Sequence, residues 1–218
     1  MQRNVQETVR ILRRVERLDP DLVEIRFDRM TSSPTLSKIR DATDHPLIAT
    51  NRRRNQGGLF SGTEDARVGT LTQAALNAFD YVDIELNTRN AREAVRRLKQ
   101  HGAEVIVSYH NKNSTPSQNA LESILKREKL AGADVCKIVG TAKSYSDSLR
   151  SLVFTNKHAK RTKLVCFSMG RLGIPSRVLS PIFGAYFTFA SSSSGQETGS
   201  GQIPIQKLRA LYEEFGLA

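Results

Sequence analysis

The sequence predicts an α/β fold, and three observations lead to this prediction. Short apolar runs alternate with amphipathic stretches along all 218 residues, which is the pattern of a parallel sheet whose strands are connected by helices. No linker or low-complexity boundary interrupts the alternation, and we therefore expect one domain over residues 1–218. With 39% hydrophobic residues, the chain is long enough to bury one core of good size.

The individual elements follow from periodicity and composition. Seven strands are expected, and they are the segments DLVEIRFD, HPLIATNR, YVDIELN, AEVIVSYH, DVCKIVG, KLVCFSM and AYFTFAS. The amphipathic segments EDARVGTLTQAALNAF, TRNAREAVRRLKQHG, SQNALESILKREKLAGA, SYSDSLRSLVFTNKHA and IPIQKLRALYEEFG are expected to be helices. Between the last strand and the last helix, SSSSGQETGSGQ has loop composition, which predicts a mobile lid at about residues 191–202.

Charged residues on one strand face distinguish between two architectures. In DLVEIRFD, Glu24, Arg26 and Asp28 share a face, and in YVDIELN, Asp83 and Glu85 do the same. An open sheet with helices on both faces usually has continuously apolar strands, whereas a parallel barrel can gather charges inside, near the mouth where its active site is assembled. The sequence therefore predicts a single (β/α)8-type TIM barrel.

The first strand of this barrel is apparently absent or atypical. The chain opens with MQRNVQETVRILRRVERL, which has the pattern of the helix that follows strand one. Two explanations remain open. Either the polypeptide starts upstream of Met1 with a further strand of about five or six residues, or the barrel closes in an unusual way at this seam.

Composition limits the location and the partners of the protein. No apolar run approaches the ~20 residues needed to span a bilayer, and the charged opening segment lacks the apolar core of a signal peptide. We therefore expect a cytoplasmic protein without a membrane partner. The net charge of +11 invites a nucleic-acid partner, but only 6% of the residues are aromatic and no recognition motif is present. Long-range attraction of a carboxylate substrate is an alternative use for the charge, and we expect no nucleic-acid partner.

The two cysteines predict neither a disulfide nor a metal site. Cys136 and Cys166 lie in separate apolar strands and have no CxxC or Cys/His spacing around them. Alternation along its strand directs Cys136 away from the side of its neighbour Lys137, and packing is its expected role. No metal and no cofactor are expected.

Lys137 is the residue that points most directly to chemistry. It lies within the apolar strand DVCKIVG, and Val135 and Val139 share its face, so its side chain is expected to point into a closed interior. Because burial disfavours the charged form of an amine, a buried lysine can attack a carbonyl and form a Schiff base. The alternative is a structural lysine that extends to solvent or meets a buried carboxylate.

His110 is the second candidate for chemistry. It ends the strand VIVSYH, one strand before Lys137, and the turn NKNSTPS follows it, with Thr115 and Pro116 expected to open the next helix. A histidine at the C-terminal end of a barrel strand can serve as a general base, although a hydrogen-bonded surface histidine would look the same in isolation. Next to Lys137, it would offer proton transfer to the substrate that the amine binds.

The pattern as a whole resembles the type I 3-dehydroquinate dehydratases, which are Schiff-base enzymes of the shikimate pathway. The motifs VEIRFD, ATNRRRNQGG, VIVSYHNKNSTP, DVCKI, FSMGRLGIPSR, FGAYFTFAS and GSGQI occur in the order of that family and at similar spacing. The resemblance implies that Lys137 forms an imine with the C3 ketone of 3-dehydroquinate. It also implies that His110 removes the C2 proton and then assists loss of the C1 hydroxyl as water.

The resemblance implies roles for nine further residues. Arg177 would hold the substrate carboxylate, and the remaining substrate-binding residues would be Glu24, Arg26, Arg52, Thr198 and Gln202. Met169 and Phe189 would form an apolar wall. Gln56 stands where the family commonly has a glutamate that bonds the catalytic histidine; an amide can orient the imidazole but cannot stabilise its cation by charge.

Two other classes of function remain as alternatives. A class I aldolase or transaldolase would also use a strand lysine at a barrel mouth, but it would not account for His110 together with the SR and GQ motifs. A catalytically inactive barrel or a basic nucleic-acid-binding protein would account for the charge and leave the polar strand faces unexplained. The small-molecule substrate is the one partner expected, and a homodimer is left open.

Overall fold

The computed structural model describes residues 4–31 and 35–216, and within them strands and helices alternate along the chain. The strands are β1 (Val23–Arg26), β2 (Leu47–Thr50), β3 (Tyr81–Glu85), β4 (Glu104–His110), β5 (Val135–Thr141) and β6 (Leu164–Met169). The helices are α1 (Val5–Val15), α2 (Leu36–Arg40), α3 (Glu64–Leu76), α4 (Ala91–Gln100), α5 (Gln118–Leu130), α6 (Tyr145–His158), α7 (Ile174–Leu179) and α8 (Ile205–Glu214).

The six strands form one sheet in the order β1-β2-β3-β4-β5-β6, which is also their order in the chain. The first three pairs are parallel, and Val23 pairs with Leu47 and Tyr81 with Glu104. The helix between each strand and the next provides the crossover that parallel pairing requires. The α/β class predicted from the sequence is therefore confirmed.

Local sequence explains where two of the longer helices begin. The side chain of Thr63 accepts a hydrogen bond from the backbone N–H of Ala66 at 3.3 Å, and acidic residues follow in the first turn of α3. Helix α6 begins with a capping box, in which Ser144 and Asp147 each accept a bond from the other's backbone N–H. These caps satisfy backbone donors that have no partner within the helix.

The prediction of a seventh strand over AYFTFAS is wrong. Residues 185–190 belong to no strand, and Ser191 forms only an isolated bridge with Pro204. One backbone bond, from Tyr186 N–H to the oxygen of Leu164 at 2.8 Å, runs from the segment to β6. Its alternating aromatic residues pack by ring contacts instead of by a strand ladder, since Phe187 and Phe189 lie 5.4 Å apart in a T-shaped arrangement.

The contacts divide the chain into two compact units. One runs to Tyr109 and includes Leu125–Cys136; the other contains His110–Ile124 and the chain from Lys137 onward. No helix in the described ranges is long and apolar enough to cross a membrane.

Candidate active site

Lys137 lies in the middle of β5 with a side chain that is almost fully enclosed. Only 4% of the residue is exposed, and Val135 and Val139 on the same strand are buried as well. Its Nζ atom lies 4.1 Å from the centroid of the Phe189 ring, within the range of a cation–π contact. The side chain does not extend to solvent, so that form of the structural alternative does not apply.

His110 ends β4, and the backbone that follows it is fixed to β5 just beyond Lys137. The N–H of Asn111 donates to the Val139 oxygen at 2.8 Å, and the N–H of Thr141 donates to the Ser114 oxygen at 3.2 Å. The hydroxyl of Thr141 also donates to the Asn111 oxygen at 2.9 Å. These bonds keep His110 and Lys137 on neighbouring strands of one unit.

The turn after His110 approaches β5 very closely. A Cβ atom at Gly140 would lie 2.7 Å from the Cα of Thr115, which leaves no space for a side chain there. Helix α5 begins only at Gln118, so the prediction that Thr115 and Pro116 open this helix is wrong. Both residues instead form the buried end of the turn.

Arg177 on α7 is a buried cation. It is 2% exposed, its guanidinium lies 4.2 Å from the centroid of Phe167, and its Nη atoms donate to the backbone oxygens of Phe189 and Ser200 at 3.4 and 3.3 Å. Among residues 4–31 and 35–216, no carboxylate forms an ion pair with it, and burial lowers the pKa of Arg177 to about 10. The group stays charged at neutral pH, and a buried charge of this kind would gain from a carboxylate ligand.

The predicted lid residues Thr198 and Gln202 bond to each other. The Gln202 side-chain oxygen accepts from the backbone N–H of Thr198 at 2.7 Å, and its amide nitrogen donates to the Thr198 hydroxyl at 3.2 Å. The loop also contacts the residue that follows β6, because the backbone N–H of Gly170 donates to the backbone oxygen of Ser200 at 3.2 Å. A Cβ at Gly201, whose φ is +79°, would lie 2.6 Å from the Gly170 oxygen.

The other unit carries the remaining predicted substrate-binding residues, each in a defined ionic environment. Arg26 donates two hydrogen bonds of 2.8 Å to the carboxylate of Asp28. Burial alone would raise the pKa of Asp28, but the bonds and charge of Arg26 outweigh it and lower that pKa. The carboxylate of Glu24 accepts a bond of 2.8 Å from the hydroxyl of Thr50.

Arg52 is the most extensively paired residue of this group. Its Nη2 lies 2.7 Å from Asp83 Oδ2, its Nη1 donates to Ser108 Oγ at 2.6 Å, and Glu85 Oε1 is 3.6 Å away. Burial opposes the charge of Arg52, yet the two carboxylates outweigh it and raise its pKa. The guanidinium is therefore a permanent, fixed cation.

Gln56 and Met169 lie at less enclosed positions. Gln56 ends the 3-10 turn Arg54–Gln56, and Met169 is the last residue of β6; both are half-buried. The turn that carries Gln56 folds back on the segment that follows β2, since a Cβ at Gly58 would lie only 2.0 Å from the Arg52 oxygen.

The structure groups the candidate residues by unit. His110, Lys137, Met169, Arg177, Phe189, Thr198 and Gln202 belong to one unit, and Glu24, Arg26, Arg52 and Gln56 belong to the other. A groove of about 650 Å³ beside α4 is lined by none of them.

The sequence interpretation missed Arg67 and Ser108, which both contact the ionic cluster around Arg52. Helical spacing could have identified Arg67. It precedes Leu71, Ala74 and Ala75 at intervals of four, seven and eight residues, which places it on the buried face of α3.

Cys136 behaves as a packing residue. It is 1% exposed, and burial together with the neighbouring carboxylate of Glu128 raises the pKa of its thiol to about 12. A thiol of this kind is unreactive at neutral pH. In the described part of the chain, no group of three or more His, Cys, Asp or Glu residues is arranged to hold a metal ion.

A parallel α/β sheet with a buried lysine and a histidine on adjacent strands is typical of barrel-type enzymes that form a Schiff base. The comparisons specify the family. The model of type I 3-dehydroquinase matches residues 1–217, and the chain belongs to that family. The resemblance seen in the sequence motifs is confirmed.

Individual relatives agree with this assignment. The chain is 37% identical over 169 residues to a 3-dehydroquinate dehydratase of Dehalococcoides mccartyi, covering 78% of this chain and 75% of the relative. It is 33% identical over 220 residues to that of Methanosarcina barkeri, covering 96% and 91%. The crystal structure of the Geobacillus kaustophilus 3-dehydroquinate dehydratase matches with a TM-score of 0.91 at 26% identity, covering 98% of this chain and 87% of that one. The predicted barrel-type fold class is thereby confirmed.

Proposed function

We propose that this protein is a hydro-lyase that dehydrates 3-dehydroquinate to 3-dehydroshikimate in the shikimate pathway, in the cytoplasm. The observation that carries the proposal is Lys137, a lysine enclosed in the sheet of a chain that belongs to the type I 3-dehydroquinase family. The amine is enclosed beside the Phe189 ring, and a lysine amine in such a site can attack the carbonyl of a bound substrate and form an imine.

In the proposed reaction, the Lys137 amine attacks the C3 ketone of the substrate and the carbonyl oxygen leaves as water, which gives a protonated imine. His110 takes the C2 proton, and the electron pair left on C2 is delocalised into the imine. His110 then returns a proton to the C1 hydroxyl, which departs as water while the double bond forms. Hydrolysis of the imine releases 3-dehydroshikimate and restores the free lysine.

The substrate is held by groups of opposite charge or matching polarity. Arg177, a buried cation without a carboxylate partner among the described residues, would bind the substrate carboxylate. Glu24, Arg26 and Arg52 would bind the ring hydroxyls. The remaining contacts are assigned to the apolar wall and the lid, namely Met169, Phe189, Thr198 and Gln202.

Gln56 is assigned a supporting role toward His110. Its amide would orient the imidazole without adding a negative charge beside it. An uncharged neighbour stabilises a protonated imidazole less than a carboxylate would.

An aldolase-like Schiff-base reaction is the runner-up, because it would use Lys137 in the same way. It does not account for His110 together with the SR and GQ motifs, whereas the dehydratase reaction gives each of them a role. Cleavage of a sugar phosphate with no dehydration of 3-dehydroquinate would favour this alternative, and retention of RNA or DNA at physiological salt would favour a basic binding protein.

Borohydride trapping tests the proposal directly. With 3-dehydroquinate present, sodium borohydride is expected to inactivate the protein and to leave the reduced ligand on Lys137, because reduction turns the imine into a stable amine. Peptide mass mapping locates the adduct. An adduct on a different lysine, or persistent activity with no adduct, would remove Lys137 from the mechanism.

In this proposal the small-molecule substrate is the main partner, and neither nucleic acid nor a membrane is a partner. We also propose that the protein forms a homodimer through α6. Three apolar residues spaced by four along α6, Tyr145, Leu149 and Val153, are 65%, 60% and 51% exposed. If two copies of α6 pair antiparallel about a two-fold axis, Leu149 meets Val153 and Tyr145 meets Lys157 of the second copy. That pairing covers the apolar stripe and gives each end a cation–π contact.

The dimer is expected to dissociate when Leu149 is replaced by glutamate, because two like charges would then face the centre of the interface. Sedimentation velocity measures the mass of each form. Leu76→Glu, which introduces the same charge at an exposed leucine on α3, is the matched control and should remain dimeric. A monomeric unmodified protein at micromolar concentration would contradict the proposal.

A further inference from the structure

Arg67 is an arginine with no contact to solvent, although it lies on a helix that covers the sheet. Its exposure is 0%, and it is the largest fully buried side chain among the described residues. Its Nε donates to Glu64 Oε2 at 3.0 Å and its Nη2 donates to Thr88 Oγ1 at 2.8 Å. Its Nη1 forms an ion pair with Glu85. Burying a guanidinium this completely is costly unless all of its donors are used.

The same guanidinium holds the backbone on both sides of Arg52. On one side, Arg67 Nη1 donates to the backbone oxygen of Asn51 at 3.4 Å. On the other side, the Glu85 carboxylate that pairs with Arg67 accepts the backbone N–H of Arg53 at 3.1 Å. Arg52 thus lies between two backbone groups that are fixed directly or indirectly by one buried cation.

A third connection runs through the side chains. Glu64 pairs with both Arg67 and Arg53, so the residue after Arg52 is held by its side chain as well as by its backbone. The Arg52 guanidinium also lies 3.6 Å from Glu85 Oε1, on the carboxylate whose other oxygen faces Arg67. Glu85 therefore lies between two cations, and the position of its carboxylate depends on both.

We infer that Arg67 is a positioning residue for Arg52: it fixes the backbone of the segment that follows β2 and the Glu85 carboxylate, so that the Arg52 guanidinium is held in one orientation for the substrate. The inference rests on the proposed function of Arg52 in binding the ring hydroxyls. Arg67 itself stays in the helix layer and touches no substrate. Its effect is on binding geometry, to which enzymes respond steeply.

The shape of the guanidinium is central to this role. Arg67 reaches Glu64, Glu85, Thr88 and Asn51 at once, because its donors point in several fixed directions in one plane. A lysine can supply the charge that Glu85 needs, but it cannot keep all four contacts. Arg67→Lys therefore separates the positioning role from simple charge neutralisation.

The kinetic test compares Arg67→Lys and Arg67→Met with the unmodified protein in the dehydration of 3-dehydroquinate. For Arg67→Lys we expect KM to rise roughly tenfold with kcat within about threefold, because ground-state and transition-state binding are weakened together. Arg67→Met should raise KM further, and it can also fail to fold, since it removes one of the two cations beside the buried carboxylate of Glu85. Arg67→Lys therefore decides the outcome.

Arg96→Lys is the matched control. Arg96 also pairs with a glutamate three residues earlier on its helix, but its side chain is 59% exposed, and among the described residues its ion pair is with Glu93 alone. The KM of the Arg96→Lys variant for 3-dehydroquinate should equal that of the unmodified protein. A double variant makes the test stricter: the rise in KM caused by Arg67→Lys should disappear in an Arg52→Met background, whereas a general loss of structure would persist there.

A measurement independent of activity completes the test. The Nε–H signal of Arg52 in the 1H–15N spectrum is expected to shift or broaden in Arg67→Lys and to stay in place in Arg96→Lys. An unchanged Arg52 signal together with an unchanged KM would overturn the inference. If the unmodified protein does not dehydrate 3-dehydroquinate, the proposed function fails, and the Arg52 signal still decides whether Arg67 positions Arg52.

Discussion

Replacing Lys137 by methionine is expected to abolish the dehydration of 3-dehydroquinate, with a loss of roughly 10⁴-fold or more, the scale seen when a covalent nucleophile is removed. Methionine keeps the unbranched, apolar stem of the side chain in its enclosed site, so that β5 and its contact with Phe189 are retained. Without the amine no imine forms, and no electron sink is available for the C2 carbanion. Formation of the conjugated enone, followed in the ultraviolet, measures the rate.

Lys163→Met is the matched control for this variant. The Nζ of Lys163 lies 5.0 Å from the centroid of the Tyr186 ring, so this lysine is also placed over an aromatic ring, but it is exposed. Its loss should leave the rate unchanged. Substantial activity in Lys137→Met, with an unchanged melting temperature, would contradict the Schiff-base mechanism.

For His110→Ala, turnover is expected to fall by about 10²–10⁴-fold, the usual cost of losing a general acid–base group. The imine should still form, since the Lys137 amine remains, and borohydride should therefore trap the substrate on the inactive variant. Rapid-quench kinetics for turnover and mass spectrometry for the adduct measure the two effects separately.

His158→Ala serves as the control for His110. His158 is a half-buried histidine at the end of α6, where it contacts the carboxylate of Glu122 at 2.9 Å. Removing it should lower neither turnover nor trapping. If His110→Ala turns over normally, or if it loses both turnover and trapping, His110 does not have the role proposed for it.

Period-two alternation predicted most of the sheet and the environment of Lys137. It placed Lys137 on an enclosed strand face, where the structure finds it 4% exposed, and it placed Asp83 and Glu85 on the same side of β3, where both are 1% exposed. Alternation succeeds here because a strand surrounded by other strands has only two possible faces for each side chain.

The same rule failed for AYFTFAS, because alternation reports which side chains are buried and not whether the backbone pairs. Phe167, Phe187 and Phe189 interact through their rings, so apolar residues at every second position can pack together without a strand ladder. Contacts between residues distant in the sequence were also beyond prediction. The ion pairs that Arg52 forms with Asp83 and Glu85 join the segment after β2 to β3, and the sequence does not specify which residues of the two meet.

The close approach of Thr115 to Gly140 limits which residues position 140 can accept. Because the Cα of Thr115 occupies the space that a side chain at position 140 would need, a substitution there would push the turn after His110 away from the strand that carries Lys137. A side chain at position 140 is therefore expected to change the distance between His110 and Lys137, although Gly140 itself contributes no functional group. The activity of variants at position 140 therefore measures how far His110 and Lys137 can be separated before turnover is lost.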